Sequence, residues 1–182
     1  MRHTPALFSL YLALALSGCS APPPSHSEFA PLLSAIEQRL ELASSVARHK
    51  WVHNLPVQAP AREAEVLLQV RAAAGDYGLA AERAEAFFAD QIEANKLVQY
   101  ALLDRWRANG QAPQQAARDL SSELRPRLDK LQGSLLFELG QIDHEPPADC
   151  TSKLAQALAE RTHDPLRHLA LVRATGQLCR KQ

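Results

Sequence analysis

Net charge is the first thing this chain lacks. Twenty lysines and arginines balance 20 aspartates and glutamates over 182 residues, which removes the electrostatic argument for a nucleic-acid or anionic-membrane partner. Aromatic residues make up only 5% of the chain, and β-branched runs are missing, so nothing in the composition favours a sheet. No glycine-rich loop of the Walker or dinucleotide-binding type occurs, and no internal repeat is visible. Past the first two dozen residues no stretch is long and apolar enough to span a membrane. Alanine and leucine are abundant instead. Together with the length, they predict an all-α single domain, a bundle of about six helices with enough chain to bury a core.

Residues 1–19 read as a secretion signal. Arg2 and His3 make a short basic start, residues 6–16 form the apolar run, and Leu16-Ser17-Gly18-Cys19 resembles a bacterial lipobox. Cys19 is thus a lipidation candidate, and such an anchor is the only membrane contact expected. Plain cleavage after Ala21 is the competing reading, and it would place Pro22 at the mature start. A proline-rich linker, residues 20–27, leads into the helical domain, residues 28–182. The expected location is periplasmic or secreted. With Cys19 set aside, the odd count of three cysteines resolves if Cys150 pairs with Cys179 across a terminal helical hairpin. In the chain-entropy picture that closure gives about 3.5 kcal/mol. Two free buried thiols are the alternative.

Apolar spacing and breaker residues predict helices over about 28–53, 60–74, 80–107, 119–142, 149–161 and 165–180. Pro60 and Pro165 suit first-turn positions. Gly75-Asp76-Tyr77-Gly78 and Asn109-Gly110 mark stops. Pro126 lies inside the fourth helix, where a kink or a new start is expected. Residues 111–118 read as a linker or a frayed helix start.

The first helix carries an unusual stripe: Leu32, Ile36, Arg39, Ala43, Val46 and Lys50. Arg39 and Lys50 are eleven apart, about three turns, so both project from the face that should be buried. Two cations on a core face point to an anionic ligand in the interior, because a buried charge is costly without a partner. The plainer alternative is that their stems snorkel to water. The third helix has a similar stripe, apolar at its ends and amide in the middle: Phe88, Ile92, Asn95, Gln99, Leu102 and Trp106. Arg62 and Glu63 on the second helix and Arg125 on the fourth complete a donor-rich set with one carboxylate and no nucleophile–base pair. Such a set suits holding a small dianion and polarising one of its oxygens. It does not suit hydrolysis. His49 and His53 are four apart but lack a third ligand and flank Lys50, so no metal is expected. Trp51 and Trp106 read as core fillers.

Arg39, Lys50, Arg62-Glu63 and the segment FFADQIEANKLVQ at 87–99, in this spacing, resemble the all-α chorismate mutases. The HKW (49–51), LPV (55–57), PAREAEVL (60–67) and DQIEA (90–94) fragments, with the leader and the Cys150/Cys179 tail, are similar to their exported gamma subclass. The resemblance spans about residues 32–179. It implies conversion of chorismate to prephenate by a pericyclic rearrangement, with no covalent intermediate and no cofactor. It further implies that Arg39 and Arg125 bind the substrate carboxylates. Lys50 and Gln99 would donate to the ether oxygen, Glu63 would hold the ring hydroxyl, and Arg62 and Asn95 would complete the polar wall. One subunit should hold a whole site, and a homodimer is compatible with that.

The chain departs from the subclass at two places. Gln99 stands where exported members often have glutamate, and Val66 where glutamine is common. Arg127 competes with Arg125 for the extra carboxylate. Outside this family, the reading that remains is a non-catalytic exported helical protein that binds small carboxylates or acts as an envelope adaptor.

Overall fold

Proline starts four of the helices. The computed structural model describes residues 28–180. Pro31 lies in the first turn of α1 (Ala30–Val52), Pro60 in that of α2 (Pro60–Ala73), Pro126 in that of α4 (Arg125–His144) and Pro165 in that of α6 (Pro165–Ala174). A first-turn proline gives up only an N–H that no helical carbonyl would have accepted. The remaining helices are α3 (Ala81–Ala108) and α5 (Cys150–Arg161), and no strand occurs among the described residues. Gly78 and Gly110, both at φ 69°, take the left-handed turns after α2 and α3. The expected leader, the lipobox at Cys19 and the 20–27 linker lie outside the described residues.

One boundary follows expectation and one differs. The fourth helical segment winds from its Asp119 cap and has the new start expected at Pro126. Residues Leu120–Leu124 wind as a single π-helical turn, capped by the Asp119 carboxylate, and α4 restarts at Arg125 beside Pro126. The sixth helix stops at Ala174 rather than near Arg180. Side chains from α3 end it: Gln91 donates to the Ala174 carbonyl at 2.7 Å, and the buried Arg83 guanidinium donates to the carbonyls of Gln177 and Leu178. These bonds satisfy carbonyls that a helix end leaves without partners. Arg83 also grips Asp143 on α4 with two bonds of 2.8 Å, and Asp90 pairs with Arg173.

α1 and α3 run side by side in the same direction. Asn95 meets Arg39, and about three turns on Trp106 meets Trp51 with ring centroids 6.0 Å apart. The parallel course brings the hydrophilic middle of one stripe against that of the other. α2 packs on α3, α4 on α1, and α6 mainly on α3 and also on α1. All six positions of the α1 stripe are buried, as are five of the six on α3. Phe87, Phe88, Leu32, Ile36, Leu135 and Leu139 centre the main core.

Cys150 and Cys179 form a disulfide, with Cα atoms 5.6 Å apart, that ties the start of α5 to the chain beyond α6. It closes 29 residues, so the Cys150→Ser, Cys179→Ser variant should lose about 3.5 kcal/mol in urea unfolding. A change under ~1 kcal/mol would contradict that role. Gly140 provides a second test. A Cβ there would stand 2.5 Å from the Tyr77 carbonyl oxygen. Gly140→Ala should therefore cost about 1–3 kcal/mol despite alanine's better helix propensity. A more stable variant in the same assay would show that α4 has room to spare.

Candidate active site

Two concavities among the described residues are lined by both α1 and α3. The wider, about 550 Å³, lies between α1, α3 and the 111–115 segment. Its buried cation, Arg48, already donates to two backbone carbonyls, so it offers a ligand little unmatched charge. The narrower, about 120 Å³, is enclosed by α1, α2, α3, the π turn and α4. Five cationic side chains line it, Arg39, Lys50, Arg62, Lys96 and Arg125, against two carboxylates, Glu63 and Asp129. The chemistry therefore sits in the smaller cavity, as an excess of positive charge held between apolar walls of Val46, Val57, Val66, Ile92, Leu120 and Leu128.

Arg39 is buried on the inner face of α1, with its guanidinium 5.9 Å from the Phe88 ring centroid. Its Nε has no hydrogen-bond partner. Burial pushes this guanidinium down to about 10; Asp129 opposes the shift and Arg62 adds to it. Three turns along, Lys50 donates to the Val57 carbonyl. Burial lowers its pKa; Glu63 pulls it back in part, and Lys96 and Arg125 lower it further. An ammonium has three donors, so two remain beyond the Val57 bond.

On α3, Asn95 Nδ2 donates to the Arg39 carbonyl at 3.2 Å, and Gln99 Nε2 donates to Asn95 Oδ1 at 2.7 Å. This relay orients the Gln99 amide, whose second hydrogen remains unassigned and whose buried Oε1 has no partner. Glu63 accepts from the Ala59 N–H at 2.9 Å and from Lys96 at 3.1 Å. Partial desolvation would raise its pKa, but those two bonds and the charges of Lys96 and Lys50 hold it below the ordinary carboxylate range. Arg62 is tied to Glu65 at 2.9 Å and to Asp129 at 2.6 Å, a bridge from α2 to α4.

The structure brings all seven expected residues, Arg39, Lys50, Arg62, Glu63, Asn95, Gln99 and Arg125, to one cavity. Arg125 lines it, whereas Arg127 lines a separate surface hollow with Arg118. Three polar lining residues were missed, Lys96, Asp129 and Gln132. Lys96 lies one position off the Asn95/Gln99 stripe and bridges Glu63 and Glu93. Asp129 follows Arg125 by four on α4, a spacing that already puts the two on one face. The His49 and His53 rings lie 4.3 Å apart, tilted by 39°, and His49 Nδ1 is engaged with the Arg118 carbonyl at 3.0 Å.

Comparison with known proteins agrees with the geometry. Residues 30–100 match the family model "Chorismate mutase type II". The secreted chorismate mutase of Mycolicibacterium smegmatis is 30% identical over 161 residues, 85% of this chain and 87% of that one. The secreted chorismate mutase of Mycobacterium tuberculosis is 27% identical over 84% of this chain and 79% of its own length. The crystal structure of chorismate mutase from Burkholderia phymatum superposes with a TM-score of 0.79 at 39% identity, covering 85% of this chain and 98% of that one. By sequence, fold and coverage alike, the chain belongs to the type II chorismate mutase family.

Proposed function

We propose that this chain converts chorismate to prephenate in the α1–α4 cavity, with no covalent intermediate and no cofactor. The observation that carries the reading is the imbalance of five cations to two carboxylates, with a buried Arg39 whose Nε has no partner. A doubly negative substrate supplies the missing charge. The rearrangement breaks the bond between the ether oxygen and the ring carbon while a carbon–carbon bond forms elsewhere in the same molecule. No proton transfer or nucleophile is needed. The enzyme's work is to hold the compact conformer in which the two ends meet, and to stabilise negative charge growing on the ether oxygen.

In this reading Arg39 and Arg125 clamp the carboxylates. The Lys50 ammonium and the second Gln99 N–H donate to the ether oxygen, and they are held in advance by the Val57 carbonyl and the Asn95 relay. Donors that need no reorganisation during the reaction are the ones that favour the transition state over the ground state. Glu63 keeps free lone pairs beyond its two bonds and accepts the ring hydroxyl. Arg62, tied to Asp129, and Asn95 complete the wall. The set needs no residue from a second subunit, so assembly as a homodimer is not required for activity. The names of the two mycobacterial relatives support export, and Cys19 lipidation belongs to the same proposal; the mass of the mature N-terminus from cell envelopes distinguishes it from plain cleavage.

Loss of chorismate ultraviolet absorbance on adding the purified protein tests the reading directly. Lys50→Ala and Arg39→Ala should each lower kcat/KM by at least about 10²–10³; activity within tenfold of the parent would remove them from the site. The pH profile gives a second test. Gln99 donates without titrating, so kcat/KM should be flat through neutral pH. It should fall in acid only as Glu63, held below the usual carboxylate range, gains a proton. It should fall in alkali as Lys50 loses one, earlier than an ordinary lysine would, because its pKa is lowered. In Gln99→Glu the donor must be protonated, so activity should decline as pH rises towards neutral. A steep wild-type loss between mildly acidic and neutral pH would count against Gln99 as the ether donor.

A further inference from the structure

The chain between α3 and the π turn, residues 111–119, has no helix and buries none of its side chains fully. What fastens it is the end of α1. Arg48, itself buried, donates through Nη1 to the carbonyls of Pro113 and Gln115, the latter at 2.9 Å, and its guanidinium lies 5.9 Å from the Trp106 ring centroid. The adjacent His49, also buried, bonds the Arg118 carbonyl through Nδ1. Two successive side chains of one helix thus grip three carbonyls of one strap. The strap then runs straight into Asp119, whose carboxylate takes the N–H groups of Ser121 and Ser122, and on into Leu120 and Arg125, which wall the cavity.

We propose that Arg48 is a positioning residue for substrate binding. By clamping the 111–119 strap to α1, it holds Arg125 against the cavity in which Lys50, two residues on, presents its ammonium. Arg48 does not line that cavity and touches no substrate. Its effect reaches the site through the strap and the π turn. Without the clamp the strap has little buried surface to hold it, and each binding event must order it afresh, which weakens affinity without changing the chemical step. The consecutive placement of residues 48, 49 and 50 on α1 makes one helix end set both the ether-oxygen donor and, through the strap, the arginine at the opposite wall.

This inference rests on the cavity being the chorismate site, and the experiment separates the two. Wild type, Arg48→Met, Arg125→Ala and the double variant are compared in steady-state chorismate kinetics, with circular dichroism to confirm folding. Arg48→Met should raise KM about tenfold with kcat changed less than about threefold, and Arg48→Lys should recover part of the loss. In the Arg125→Ala background, Arg48→Met should add less than about twofold, because there is nothing left to position. His49→Ala, which releases the third carbonyl, should raise KM in the same direction and serves if Arg48→Met does not fold. Fully additive effects of Arg48→Met and Arg125→Ala, a fall in kcat at constant KM, or an Arg125→Ala enzyme with unchanged KM would each overturn the proposal. An inactive wild type would instead overturn the site reading beneath it.

Discussion

Two desolvated cations on the inner face of one helix constrain the rest of this molecule. Arg39 and Lys50 occupy stripe positions that hydrophobic side chains would normally fill, and burial lowers the pKa of both. A buried cation costs several kcal/mol unless an anion or a set of acceptors meets it. The fold supplies only part of that compensation: the Val57 carbonyl for Lys50, the Phe88 face for Arg39, and the more distant charges of Glu63 and Asp129. The remainder is left for a ligand. In this sense the free protein keeps a local instability that binding relieves, the usual relation between stability and function at a preorganised site.

The architecture follows from the need to keep that instability in one place. α3 runs parallel to α1, so its amide-bearing middle faces the cations rather than apolar surface. The elements around this pair are tied by specific polar contacts, two away from the cavity, Arg83 to Asp143 and to the carbonyls after α6 and Asp90 to Arg173, and one in its wall, Arg62 to Asp129. The disulfide fastens the tail. These ties fix the helices to one another, so the cavity walls are set by the scaffold and not by the ligand alone.

Much of this was legible in the chain. Helix starts carried proline in the first turn and two stops carried glycine at positive φ, local signals that tertiary structure had no reason to override. The stripes on α1 and α3 exposed Arg39, Lys50, Asn95 and Gln99 because periodicity shows which positions face inward. The missed features depend on partners far away in sequence. The end of α6 is fixed by Gln91 and Arg83 from α3, and the only local sign of it is Gly176, just past the Thr175 cap. Arg48 carries no local signal, because its acceptors lie 65 and 67 residues downstream. Lys96 sits one step off the amide stripe, so the periodicity did not single it out. Asp129 was legible too, because it follows Arg125 by four on the same helix and so shares its face.

The central claim is that the Arg39 charge is held at a cost which a dianion repays. The most direct test is the melting temperature of wild type and Arg39→Met, each with and without saturating prephenate. Methionine keeps the stem and removes the charge. The account predicts that Arg39→Met melts at or above the wild-type temperature when free, and that the ligand-induced rise seen in wild type disappears. A variant that melts well below wild type yet keeps the full prephenate-induced rise would contradict it.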